Sequence, residues 1–298
     1  MSALDDILQR LEPSLGARSG DVIPLQGGIT NHNFRVTFGD RSYVVRRHGG
    51  DTELLGIDRE SERLAGETAA RLGIAPVVAA AFDDCLATAY VAGSPGSARW
   101  IAARVAEIAR GLRAFHDSGL VLPSTFSVPQ LLDGYEAIIR SRGGTPPPAY
   151  TEVAAIAARI AEALPPQPAR PCHNDLLGGN IIRPRDGGRV MIVDWEYAGM
   201  GDPRFDLGNL SVNNDFDGAT DERLLHAYYG ERPDDARRAA LKLMRALSDA
   251  REAAWGVLQS EISELAFDFD AYGREHFERL RTTATQPPFE EWLAAAGS

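Results

Sequence analysis

His173-Asn174-Asp175-Leu176-Leu177-Gly178-Gly179-Asn180 is followed, fourteen residues after its last member, by Asp194. Between them lie two short apolar runs, Asn180-Ile181-Ile182 and Val190-Met191-Ile192-Val193, joined by Asp186-Gly187-Gly188. Two apolar runs around a Gly-rich polar link predict a small hairpin. A hairpin brings the start of its first strand beside the end of its second, so Asn180 and Asp194 become neighbours, and Asp175 stands five residues before Asn180. Hard oxygen ligands at one point, with a carboxylate close by, suit Mg²⁺ and a general base. Taken singly, Asn and Asp are turn and cap residues; it is the spaced set that points to chemistry.

Outward from this hairpin the chain reads differently on its two sides. On the C-terminal side, about Pro203 to Trp292 is helical in period. On the N-terminal side, helices are predicted over Val153–Leu164, over Leu131–Arg140, and in one piece from Trp100 to near Gly119, where Trp100, Ile101, Val105, Ile108, Leu112 and Phe115 form an apolar stripe. The Ala92-Gly93-Ser94-Pro95-Gly96 segment predicts a lobe boundary. Before it the chain is mixed. Leu4, Ile7, Leu8 and Leu11 recur at helical spacing, Asn33–Phe38 and Ser42–Arg47 flank the turn Gly39-Asp40, a helix spans about Asp58 to Leu72, and Val77–Phe82 and Leu86–Val91 read as two more strands. A β-rich first lobe (residues 1–91) and a mainly helical second lobe (residues 92–298) make an α+β architecture of two lobes.

Composition limits the rest. The 298 residues are 44% apolar and 24% charged, as in a globular protein. With 31 basic and 42 acidic residues the net charge is −11, which disfavours nucleic acid and anionic membranes as partners. Cys85 and Cys172 form neither a disulfide framework nor a zinc pattern and suit a reducing, cytoplasmic setting. The opening MSALDDILQRL has no basic region or long apolar core of the signal-peptide kind, and no early apolar run is long enough for membrane insertion. The oligomeric state is not legible.

The pattern H-x-D-x-x-x-x-N, then an apolar strand and Asp, resembles the protein-kinase-like phosphotransferases. The wording HNDLLGGN…IVDWEYAG…FDLGN is similar to the choline/ethanolamine kinases and the aminoglycoside phosphotransferases, from about Gly27 to Tyr272. The resemblance implies a two-lobed protein-kinase-like fold and an ATP- and Mg²⁺-dependent kinase acting on the hydroxyl of a small molecule. Asp175 would orient and deprotonate that hydroxyl, Asn180 and Asp194 would hold the metal, and His173 and Asp206 would buttress the loop. Val44 and Arg46 share a strand face by period two; the resemblance puts Val44 over adenine and Arg46 at the phosphates, since Arg is usual there in the choline-kinase branch. Glu60, Glu62 and Glu67 compete as the carboxylate that holds Arg46, and counting back from Gly73-Ile74-Ala75-Pro76 the family's position falls on Glu62. The segment Gly27-Gly28-Ile29-Thr30-Asn31 would be the phosphate loop, with Gly28, Thr30 and Asn31 as contacts, and Ala89-Tyr90-Val91 would offer backbone groups to the base.

For the acceptor, the resemblance implies an amino-alcohol such as choline or ethanolamine, held by the aromatic rings Trp255 and Tyr272 with Glu196 nearby. A third ring position, usually Trp, is Glu252 here, and a usual carboxylate position is Asn213; Glu252 is expected to attract a cation in the ring's stead. An aminoglycoside or another small alcohol is the alternative acceptor, and a nucleotide-binding protein without turnover is the alternative of another class. The absence of D-F-G and A-P-E segments after Asp194 speaks against a protein kinase.

Overall fold

A computed structural model describes residues 3–25, 32–50, 52–263, 265 and 267–297. Helix α1 (Ala3–Leu15) buries Ile7, Leu8 and Leu11 against an antiparallel five-stranded sheet, as its apolar spacing requires. The strands are β1 (Arg18–Leu25), β2 (His32–Phe38), β3 (Arg41–Arg47), β4 (Val78–Phe82) and β5 (Cys85–Ala89), in the order β1-β2-β3-β5-β4. Alternation along β3 sends Tyr43 and Val45 into the core under α1. Val44 and Arg46 therefore face the other way, into the cleft below the sheet. Between β3 and β4 runs α2 (Arg59–Arg71), capped by Asp58, which accepts a hydrogen bond from the Ser61 amide at 2.7 Å.

The second part holds β6 (Gly93–Pro95), α3 (Ala98–Ala103), α4 (Val105–His116), α5 (Val128–Ser141), α6 (Pro148–Ala163), β7 (Arg170–Cys172), β8 (Ile181–Pro184), β9 (Met191–Ile192), β10 (Gly199–Gly201), α7 (Pro203–Asn213), α8 (Gly218–Tyr229), α9 (Asp235–Ile262), α10 (Phe269–Thr285) and α11 (Pro287–Ala296). The 28-residue α9 is the spine of the largest core, with α5, α6, α10 and α11 packed around it. Helix α7 is buried along nearly its whole length. A β-carbon on its Gly208 would lie 2.5 Å from the Met244 backbone of α9, so these two helices cross at a distance that only glycine permits.

The fold differs from the sequence expectations in four places. Strand β1 was not expected, because Gly20 and Pro24 lower its strand propensity; its register also shifts between Ser19 and Ile23. The single helix expected from Trp100 onward is two, broken at Arg104. Gly93–Pro95, expected only as part of the lobe boundary, pairs with β8, so the expected hairpin is a three-stranded sheet in the order β6-β8-β9. The short pair β7 and β10 was also missed.

The crossing of α7 and α9 gives a direct check. Gly208→Ala is expected to lower stability by about 1–3 kcal/mol through overpacking. Gly134→Ala, in α5 where nothing lies within 4 Å of the added carbon, is expected to raise it by roughly 0.5–1 kcal/mol. Urea unfolding of both variants measures this, and equal effects would refute the close crossing.

Candidate active site

The loop after β7 is shaped by one carboxylate. Asp206, in the first turn of α7 and fully buried, accepts from the His173 amide at 2.8 Å, from the Asn174 amide at 2.7 Å and from His116 Nε2 at 2.9 Å. Burial alone would raise its pKa, but the hydrogen bond and charge of His116, with His173, hold it below the ordinary carboxylate value. Asn174 takes a left-handed backbone (φ 66°), which Asn tolerates better than most residues. His173 accepts from the Asp175 amide at Nδ1 (3.1 Å) and donates from Nε2 to the Val193 carbonyl (3.0 Å), an arrangement that assigns its proton to Nε2. Its burial lowers its pKa and favours this neutral form. Asn209 and Asn214 fasten Leu176 to α7 and its end.

The three residues of the central motif come together. Asn180 Nδ2 donates to the Asp175 carbonyl at 2.8 Å and to Asp175 Oδ2 at 3.0 Å. The Val193 amide donates to the Asn180 carbonyl at 2.9 Å, which sets Asp194 beside it. With its nitrogen committed, Asn180 has its amide oxygen left to offer a cation. Asp175 is buried, and burial pushes its pKa up to about 8; the guanidinium of Arg251 opposes the rise, while Glu252, Asp194 and Glu196 add to it.

Above them lies a cleft of about 330 Å³. Val44, Val78, Leu86 and Ile182 form apolar walls, Thr88, Tyr90 and Val91 lie along it, and Arg46, Glu62, Asn180 and Asp194 make its polar end. Arg46 Nη1 bridges Glu62 Oε1 at 2.8 Å and Asp194 Oδ1 at 2.7 Å. The choice among the three glutamates is thereby resolved in space: Glu62 is 2% exposed and faces Arg46, whereas Glu60 and Glu67 both pair with Arg63. Arg59, not anticipated, donates to Glu62 Oε2 at 2.7 Å and to Glu196 Oε2 at 3.3 Å. Glu196 thus belongs to the arginine cluster. Gly28, Thr30 and Asn31 lie outside the described residues.

On the far side of Asp175, Trp255 donates from Nε1 to the Tyr197 hydroxyl at 3.0 Å and meets the Tyr272 ring edge-on, 5.6 Å between centroids. Glu252 corrects an expectation. Its Oε1 accepts from Arg251 Nη1 at 2.6 Å and its Oε2 from the Tyr272 hydroxyl at 2.8 Å, so it is a neutralised, buried carboxylate and not a free one. Arg251 is, with Arg59, a residue that sequence reasoning missed. Its Nη1 also reaches Asp175 Oδ1 at 3.4 Å, while its Nε and Nη2 are buried without hydrogen-bond partners. Leaving such donors unpaired costs about 1–3 kcal/mol each. A signal was present: Leu247, Arg251, Trp255 and Leu258 fall on one helical stripe, and all four are buried. Asn213, at the end of α7, likewise has a buried Nδ2 without a partner.

Residues 21–256 match the phosphotransferase enzyme family. Ethanolamine kinase 2 of Mus musculus is 27% identical over 274 residues, 79% of this chain and 68% of that protein. LicA of Haemophilus influenzae is 27% identical over 192 residues, 62% of this chain, and the match spans a little over half (56%) of LicA. A crystal structure of a choline/ethanolamine kinase family protein from Mesorhizobium loti superposes with a TM-score of 0.82 at 32% identity, covering 99% of each chain.

The loop's dependence on Asp206 is testable through pH. A carboxylate whose pKa is lowered in the folded state contributes fully above its unfolded pKa, and the contribution fades as pH falls through the folded value. Asp206→Asn is expected to cost about 3–5 kcal/mol at neutral pH, and its gap from the unsubstituted protein should shrink below about pH 4. Urea unfolding at pH 7 and in acid tests this; an equal gap at both would show that the charge is not what holds the loop.

Proposed function

Since this chain belongs to the phosphotransferase enzyme family, we propose that it transfers the γ-phosphoryl group of ATP, with Mg²⁺, to the hydroxyl of a small molecule. What carries this is that Asn180 and Asp194 line the polar end of a cleft with apolar walls while Asp175 is hydrogen-bonded to Asn180. The walls at Val44, Leu86 and Ile182 suit a purine, and Arg46 sits where phosphates would follow. The Asn180 amide oxygen and the Asp194 carboxylate are hard oxygen donors of the kind Mg²⁺ takes. When bound, the ion would neutralise charge on the phosphates.

The chain's own residues do the rest by position. Glu62 and Asp194 hold Arg46 for the phosphate oxygens. Asp175, fixed by Asn180, orients the acceptor hydroxyl and takes its proton. The acceptor oxygen forms its bond to the γ-phosphorus as the bond from that phosphorus to the β–γ bridging oxygen breaks, and ADP leaves with that electron pair. His173 and Asp206 keep the loop in register. Gly28, Thr30 and Asn31 would cover the phosphates, and the Tyr90-Val91 backbone would meet the base. Residues 1–91 form the nucleotide-clamping lobe and residues 92–298 the catalytic and acceptor-binding lobe.

One reading of the acceptor is an amino-alcohol of the choline or ethanolamine kind, as the relatives' names suggest, with Trp255 and Tyr272 around it. A second reading, another small alcohol, is favoured by Arg251, a built-in cation where a cationic acceptor would need free carboxylates. Among the described residues no helix is long and apolar enough to cross a membrane; a cytoplasmic setting agrees with the two free thiols.

Two substitutions separate the roles. Asp175→Asn is expected to keep Mg²⁺-ATP binding while ADP release falls by at least ~100-fold, as loss of a general base implies; near-normal turnover would reject its assignment. Asp194→Ala is expected to weaken Mg²⁺-ATP binding by at least about tenfold in calorimetry, and an unchanged affinity would remove it from the metal site.

A further inference from the structure

Arg251 leaves three of its five N–H donors unused. Its guanidinium is buried, lies 4.4 Å from the centroid of the Tyr197 ring, and spends Nη1 on Glu252 and Asp175. Nε and Nη2, which form one edge of the guanidinium plane, are shut from water and have no partner. Two parallel N–H groups on one edge match the two oxygens of a carboxylate or phosphate.

Charge and position narrow the ligand further. Glu252 is already neutralised by Nη1 and bonded by Tyr272. A quaternary ammonium entering beside Arg251 would meet a like charge, over an aromatic face that the guanidinium covers. An acid group would instead complete the bonding of that edge. The same guanidinium touches Asp175, so an acid on its free edge lies within a small molecule's length of the reacting hydroxyl.

Given the phosphotransferase reading above, we propose that Arg251 is a specificity-determining residue that binds an acid group of the acceptor, which is therefore a small hydroxyl compound bearing a carboxylate or phosphate. A hydroxy-amino acid meets this requirement and is still an amino-alcohol; choline does not meet it.

Matched acceptors test this through ADP release with Mg²⁺-ATP. Serine against ethanolamine differs by an added carboxylate, glycerate against glycerol carries a carboxylate in place of a hydroxymethyl group, and glycerol 3-phosphate against glycerol differs by a phosphate. At least one acid-bearing member is expected to exceed its partner in kcat/KM by ~10-fold or more, chiefly through KM, as a charge-assisted contact implies. Arg251→Gln should bring that ratio to about one without changing the KM for ATP, and Arg251→Lys should restore part of it. If Arg251→Gln does not fold, Arg251→Lys and the rise in Tm of the unsubstituted protein with each compound carry the test. Preference for choline or ethanolamine, an acid preference that survives Arg251→Gln, or no turnover and no Tm shift with any acid overturns the proposal. Turnover of choline with Mg²⁺-ATP bound would remove Arg251's role alone; failure to bind Mg²⁺-ATP at all would remove the phosphotransferase reading with it.

Discussion

A single buried carboxylate, that of Asp206, governs how the reactive loop can sit. A charge without water is tolerable only when its oxygens are fully used, and here two consecutive backbone amides and an imidazole use them. The cost of burial is thereby turned into a geometric demand: His173 and Asn174 must both present their N–H groups to α7. Asn174 meets that demand by turning left-handed, and Asp175 is left facing Asn180. Three residues of α7 carry the consequence onward. Asp206 and Asn209 grip the loop, Gly208 lets α9 come close, and Asn209 also donates to Ser248 of α9 at 3.0 Å. The loop and the Arg251–Trp255 face of α9 are therefore held in one register.

The second constraint is electrostatic. In a chain of net charge −11, the cleft's carboxylates would repel one another and any phosphate. Arg46 and Arg59 offset this by sharing Glu62, Asp194 and Glu196 among them. Burial would lower the Arg46 pKa, yet the surrounding carboxylates raise it, so its charge is secure. The cluster joins β3 and α2 of the sheet region to residues following β9, and a change in Glu62, which both arginines share, is felt by both.

Legibility in the sequence followed the range of the interactions. The hairpin with Asn180 and Asp194 was legible because its partners lie within a short stretch, and period two alone separated Val44 and Arg46 from Tyr43 and Val45. The two-lobed fold followed from those patterns and the resemblance they carry. Features that depend on distant partners were not legible. The pairing of Gly93–Pro95 with β8 reaches across helices α3 to α6, and β1 owes its strand to its neighbour β2 more than to its own residues. Arg59 and Arg251 did not stand out because nothing local shows that Glu196 or Asp175 will be waiting for them. Glu252 was misjudged for the same reason: its charge is cancelled by its immediate neighbour on the helix, and only the folded geometry turns both side chains the same way.

The pairing of β6 with β8 also decides where the chain passes from one bonded part to the other. The backbone bonds of the first sheet reach Tyr90, whose amide donates to the Ser42 carbonyl, and those of the second part resume at Ala92, whose carbonyl accepts from the Arg185 amide. The two sets of bonds thus lie on either side of Val91, and the halves are also tied away from it, where the Ile192 amide donates to the Ile74 carbonyl at 2.7 Å. Tyr90 and Val91 also line the cleft. Whatever occupies that cleft therefore rests against the very segment through which the chain passes from one part to the other.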